Sequence, residues 1–278
     1  MSRIPVDDRH LPAMGLTAIG TLGHQVVVRT NTPVGRRAVA SMFRHMCGPA
    51  RQDVLGSLAL ENVKTTWIVS GGAHGEAVHD SLPPARAELL ERVTRFVMAA
   101  RSDLIWLHAS GVARDGRAVL ITGPSGSGKS TLASRLIHRG FDYLGDDVLP
   151  FEPLTGMVHP FPVSPSVRTA APQYLLTSKA RLLRKQDVVV SQDRVATEPV
   201  RVAAIVFPRF APGPSLVHPL SPGRAAIELL QQCRDFEQHR EQAVRAMGAL
   251  AEGVPTWTLT FVDPEQGAEA IASAYSRT

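Results

Sequence analysis

Apolar positions along the chain recur with two periods, and the switches between them mark out the elements. Gln25-Val26-Val27-Val28-Arg29-Thr30 is a short β-branched run and is expected to be a strand. Thr32-Pro33 follows as an N-cap with proline at the first helical position, which predicts a helix through about Met46. Residues 58–63 and 65–69 read as further strands, and Gly71-Gly72-Ala73-His74-Gly75 as a turn. Leu89, Leu90, Val93, Phe96, Val97 and Ala100 recur with helical spacing, so residues 83–100 form a helix expected to join two halves of the chain. Leu104-Ile105-Trp106-Leu107 then begins a second series of strands. Arg114-Asp115-Gly116-Arg117 is a tight-turn signal and makes the segments on either side of it an antiparallel hairpin.

The hairpin's second arm, Ala118-Val119-Leu120-Ile121-Thr122, reads as a buried strand. A helix over residues 131–137, stopped by Gly140, and a short strand over residues 141–145 come next. Residues 164–199 carry few periodic signals and are expected to form a long excursion with one short helix near 179–183. Order returns with a strand at 202–207, helical segments across 225–251, a strand at 256–262 and a terminal helix capped by Asp263-Pro264. Alternating strands and helices define an α/β protein. Residues 1–100 are expected to be a small N-terminal α/β domain with its connecting helix, and residues 101–278 a larger domain. No internal repeat or low-complexity tract occurs.

Between strand and helix lies Gly123-Pro124-Ser125-Gly126-Ser127-Gly128-Lys129-Ser130-Thr131, which fits the G-x-x-x-x-G-K-[ST] pattern of a phosphate-binding P-loop. Glycines let the backbone curl so that N–H groups converge on phosphate oxygens, and the helix N-terminus adds partial positive charge. Lys129 is expected to reach the outer phosphates and the Ser130 hydroxyl to ligate Mg²⁺. Only four lysines (Lys64, Lys129, Lys179, Lys185) occur among 30 basic residues, so a lysine inside the loop is not filler. The other glycine-rich stretch, residues 71–75, has no Lys-Ser after it and is expected to be an ordinary turn.

Bulk composition narrows the partners. A net charge of +5 suits an anionic ligand or an acidic partner. No basic run interleaved with aromatics points to nucleic acid, and no apolar run reaches the length of a membrane span. Cys47 and Cys233 lack any metal-binding spacing and read as two reduced thiols. The expectation is a cytoplasmic protein with neither membrane nor nucleic-acid partner.

Asp146 and Asp147 follow the strand over residues 141–145. A parallel strand beside the P-loop strand would set them at the carboxyl end of the sheet, facing the phosphates. Phosphoryl transfer needs carboxylates in two roles, one holding Mg²⁺ and one accepting the proton of the attacking hydroxyl. His108 ends the strand entering the hairpin and is brought towards the loop.

The ordered set His108-Ala109-Ser110-Gly111, the P-loop, and Gly145-Asp146-Asp147-Val148 resembles the HPr kinase/phosphorylase superfamily, above all the HPr-kinase-like proteins of peptide-modification clusters, lasso-peptide kinases included. The likeness spans about residues 104–150, and Val202-Ala203-Ala204-Ile205-Val206-Phe207-Pro208-Arg209 resembles the same branch. It implies a P-loop catalytic domain of the HPr kinase/PEP carboxykinase-like type, with Asp146 as general base, Asp147 holding metal, His108 lining the site and Arg209 steadying γ-phosphate charge. It also implies assembly, as in hexamers. Thr131 departs from the family, whose bifunctional enzymes usually carry glutamate there, and their long downstream signature for the reverse, phosphate-driven reaction is missing.

The expectation is therefore a kinase using ATP and Mg²⁺ on a serine-type hydroxyl of a peptide or small protein. Two rivals are a kinase of a small hydroxylated metabolite such as free serine, and a nucleotide-responsive binding module that turns nothing over.

Overall fold

A computed structural model describes residues 15–49, 53–169 and 184–277. The chain divides into two compact units, Met1–Arg101 and Ser102–Thr278. The helix expected to join the halves thus belongs to the first.

In the first unit, β1 (Gly15–Thr21), β2 (His24–Thr30), α1 (Pro33–Met42), β3 (Cys47–Gly48), β4 (Val54–Val63), β5 (Thr66–Ser70), β6 (Ala77–His79) and α2 (Leu82–Ala100) follow in order. The strands form one sheet, β3-β1-β2-β4-β5-β6. β2 and β4 are parallel, joined across α1, and the remaining pairs are antiparallel. The Thr32 hydroxyl accepts the Gly35 N–H at 3.1 Å, the cap its sequence promised. α1 stops at Met42, short of the expected Met46, because the N–H groups of Met46 and Cys47 both turn back to the Phe43 carbonyl. Val26, Val28, Leu58, Leu60 and Val69 of the sheet are buried, as are Val39 of α1 and Leu89, Val93 and Val97 of α2.

The second unit begins with β7 (Ile105–Leu107), β8 (Ala109–Arg114), β9 (Arg117–Thr122), α3 (Lys129–His138), β10 (Asp142–Gly145), β11 (Leu149–Glu152) and β12 (Met157–Val158). β13 (Ser166–Thr169), β14 (Arg184–Asp187), β15 (Val200–Phe210), β16 (Leu216–Pro219), α4 (Pro222–Leu230), α5 (Phe236–Gly253), β17 (Thr256–Phe261) and α6 (Pro264–Tyr275) complete it. The main sheet runs β10-β8-β9-β15, with β17 and β16 beyond the end of β15 and β12, β11 and β7 beyond its start. β9, β15 and β17 are parallel.

Strand alternation splits the core of this unit in two. Ala118 and Leu120 of β9, with Ile205 and Phe207 of β15, face one side, where Ala225 and Leu229 of α4 and Ala243 and Met247 of α5 cover them. Val119 and Ile121, with Ala204 and Val206, face the other, under Leu132 and Leu136 of α3 and Ala268 and Ile271 of α6. The result is a three-layer α/β sandwich with the P-loop between β9 and α3.

Two expectations need correction. β10 does not pair with the P-loop strand: it pairs antiparallel with β8, which stands between it and β9. β10 and β9 still run the same way, so the aspartates still reach the carboxyl edge. The stretch 164–199, expected as an excursion with few periodic signals, contains strands as well, since β13 and β14 pair antiparallel, and Gln192–Arg194 forms a 3₁₀ turn. The short helix expected near 179–183 lies outside the described residues.

Candidate active site

The hairpin turn that feeds the loop has Asp115 at φ 53° and Gly116 at φ 72°, the left-handed pair a tight two-residue connection requires. β9 then delivers the chain into the loop, where Gly123, Gly126 and Gly128 all take positive φ. Gly128, at φ 100°, is the N-cap of α3, and a Cβ there would come within 2.6 Å of the Phe261 ring. Only glycine satisfies both constraints.

Ser125, Gly126, Ser127, Gly128, Lys129, Ser130 and Thr131 line a cavity of about 340 Å³ together with His108, Asp146, Asp147, Ser166, Phe210, Phe261 and Pro264. The structure thus brings residues 125–131 of the loop, both aspartates and His108 to one place, while Gly123 and Pro124 are not among the lining residues. Arg209 is not among the lining residues. Its guanidinium turns to Glu228 at 3.4 Å, and the side chain is more than half exposed.

Lys129 is buried, with its ammonium donating to the carbonyls of Gly123 at 2.7 Å and Pro124 at 3.1 Å, and standing 3.0 Å from His108 Nε2. Burial lowers its pKa, and the charges of Asp146 and Asp147 offset part of that fall. His108 Nδ1 lies 3.0 Å from the Asp147 carbonyl oxygen and 3.2 Å from its Oδ1. Oxygens on that side assign the ring hydrogen to Nδ1, which leaves Nε2 to accept from the lysine.

The two aspartates occupy opposite environments. Asp146 is buried; the Ser110 hydroxyl donates to Oδ1, the Ser166 N–H donates to Oδ2 at 3.4 Å, and the Ser130 hydroxyl also bonds the carboxylate. Burial holds this carboxyl above the ordinary aspartate range, against the pull of the serine hydroxyls. Asp147 is about half exposed and sits in the left-handed region at φ 70°. The His108 hydrogen bond holds its carboxyl below the ordinary range against the effect of burial, aided by the charges of Arg234 and Lys129. Neighbouring residues are therefore driven apart in acidity, the pattern that separates acid–base from electrostatic roles.

Three contributors escaped the sequence reading as role-bearing residues. Ser110 lies in β8, where it meets Asp146. Ser166 opens β13. Arg234 stands on the link between α4 and α5, with Nη1 3.9 Å from Asp147 Oδ2. That link is tied to β7: the Arg234 N–H donates to the Trp106 carbonyl at 2.8 Å, and the His108 N–H donates to the Gln232 carbonyl at 2.7 Å. Spacing along the chain gives no hint of such long-range pairing. Among the described residues no group of three or more His, Cys, Asp or Glu side chains could hold a metal ion. A Mg²⁺ site of one or two carboxylates completed by phosphates needs none, and the Ser130 hydroxyl against Asp146 is a hard-oxygen donor set of that kind.

No protein-family model matches the chain. A stretch of 120 residues is 36% identical to the HPr kinase/phosphorylase of Azoarcus sp. (strain BH72), covering 42% of this chain and 37% of that relative. The match thus spans well under half of the relative's length. Among solved structures, the Hpr(Ser) kinase/phosphatase from Coxiella burnetii aligns over 62% of this chain and 97% of its own, at 17% identity and a TM-score of 0.32. The sequence match bears out the resemblance to the HPr-kinase-like superfamily that His108, the P-loop and the paired aspartates carried.

Proposed function

We propose that this protein is a kinase that uses Mg²⁺ and ATP to phosphorylate a serine-type hydroxyl on a peptide or small protein. The observation that carries the reading is the meeting of Lys129, Asp146 and the P-loop backbone in one cavity. Lys129 would exchange the loop carbonyls for phosphate oxygens, a swap a flexible point charge can make. Asp146, its pKa raised by burial, takes the proton of the acceptor hydroxyl as that oxygen attacks the γ-phosphorus. The bond from γ-phosphorus to the bridging oxygen breaks, and ADP leaves with the electron pair. Ser130 and an aspartate supply the protein's ligands to Mg²⁺, whose contribution when bound is to neutralise charge on the phosphates. Arg234, aimed at Asp147, is better placed than Arg209 to steady developing charge.

A second assignment of the two aspartates is favoured by one contact. The Ser130 hydroxyl bonds Asp146 rather than Asp147, which suits Asp146 as the metal-side carboxylate and Asp147, oriented by His108, as the base. Measuring Mg²⁺ dependence separates the two: under the first assignment Asp146→Asn loses turnover at every Mg²⁺ concentration, whereas under the second, excess Mg²⁺ recovers part of it.

Mass spectrometry of acceptors incubated with Mg·ATP tests the reading. The panel holds peptides encoded beside the gene, free serine and an HPr-type carrier. One added phosphate on a peptide serine, absent with Asp146→Asn, is the expected result. Phosphate on free serine alone would replace the peptide by a metabolite, and no transfer to any acceptor despite nucleotide binding would favour a regulatory module.

A further inference from the structure

The cavity is lined by polar and by apolar residues, and the proposed chemistry uses only the polar ones. Its apolar lining is Phe210, Phe261 and Pro264, from the carboxyl ends of β15 and β17 and the first residue of α6. Phe261 is buried under the loop against Gly128, whereas Phe210 is 68% exposed, a large apolar surface left in solvent beside a phosphate loop. The two rings make an edge-to-face contact, with centroids 6.0 Å apart and planes at 85°, so Phe210 is held rather than free to fold away. α6 is anchored beside the loop by the Arg135–Glu265 ion pair at 3.0 Å and by Gly267 packing on Leu132 of α3.

We infer that Phe210, backed by Phe261 and flanked by Pro264, is the platform on which the nucleotide's base stacks. The inference rests on the P-loop reading of the phosphates and adds the other half of the ligand. In the sheet order β10-β8-β9-β15-β17 the aspartates follow β10 on one side of the P-loop strand β9, and Phe210 and Phe261 end β15 and β17 on its other side, so a nucleotide whose γ-phosphate meets Asp146 has its nucleoside directed towards the aromatic side. An exposed ring face takes any base, because stacking reads the π-surface and not the hydrogen-bonding edge.

Calorimetric titration with Mg·ATP and with Mg·tripolyphosphate, which has the phosphates and no base, tests the platform. Phe210→Ala should weaken Mg·ATP about tenfold, within the range of one base–aromatic stack, and leave tripolyphosphate affinity unchanged. Phe210→Tyr should keep both. Unchanged Mg·ATP affinity in Phe210→Ala, or an equal loss for both ligands, overturns the platform while leaving the phosphate site standing. A wild-type protein that binds neither ligand overturns the phosphate site, and the platform with it.

Discussion

The protein contains two glycine-rich loops, and they spend similar backbones on different ends. Gly71, Gly72 and Gly75 take positive φ, as do Gly123, Gly126 and Gly128. In each loop one cation caps two loop carbonyls. Arg92 donates to the carbonyls of Gly71 at 2.9 Å and Gly75 at 2.7 Å, and Lys129 donates to those of Gly123 and Pro124. The difference lies in what else holds the cation. Arg92 comes from α2, is buried and is paired with Glu88 at 2.7 Å, a fork fixed on three partners. Lys129 belongs to the loop itself, lines a cavity, stands 3.0 Å from His108 Nε2 and is acted on by the charges of Asp146 and Asp147. The proposed phosphate loop thus differs from the packing turn less in its glycines than in a cation that faces a cavity. The expectation of an ordinary turn at residues 71–75 agrees with what is seen there: a 3₁₀ turn against α2, with a Cβ on Gly71 coming within 2.4 Å of the Ser57 carbonyl oxygen.

The largest effect that would sharpen this contrast is on transfer. Asp146→Asn should lower the rate by about 10²–10⁴, the usual worth of a general base, with Mg·ATP binding kept. In the wild type the acid limb of the rate profile should lie above pH ~4, the ordinary aspartate range, because burial raises the Asp146 pKa. A near-normal rate in the variant would remove Asp146 from the chemistry. Next in size is a stability effect confined to the other loop. Arg92→Ala strands two carbonyls and Glu88 and should cost about 2–4 kcal/mol in denaturant unfolding of the first unit. Loss of less than about 0.5 kcal/mol would mean that the cation does not hold that turn.

The smallest effect follows from the sign of the Asp146 shift. A carboxyl whose folded pKa is raised favours the fold when protonated, and that stability is lost as pH rises through the folded value. Asp146→Asn should therefore raise Tm at pH 8, by about 2–4 °C for each kcal/mol recovered, with the gain vanishing towards pH 4. Asp147 has the opposite sign: its lowered pKa gives stability present above the ordinary range and lost as pH falls through the folded value. An unchanged or lower Tm for Asp146→Asn at pH 8 would show that burial of this charge costs the fold nothing.

Local chemistry made the loop, the hairpin before it and the caps at Thr32 and Asp263 legible in the sequence, since each is decided by a few neighbouring residues. The elements read least well are those with little local signal, such as β12 at two residues, or β1, whose glycines and threonines blur any alternation. The site divides the same way. His108, Lys129, Asp146 and Asp147 stand in one stretch and were found together. Arg234 and Phe210 arrive through strand pairing and helix connections remote from that stretch, so no spacing announces them. Arg209 is a candidate through the family resemblance of residues 202–209 alone, but β15 turns that side chain to Glu228, while its neighbour Phe210 lines the cavity. One residue of strand register separates the two.

Titrating Mg·ATP into the wild type and Lys129→Ala tests the central claim most directly. Binding by the wild type, with affinity at least about tenfold weaker in Lys129→Ala, is the expected result, the scale of one charge-assisted contact. Equal affinity in the two proteins would contradict the assignment of residues 123–131 as the phosphate loop.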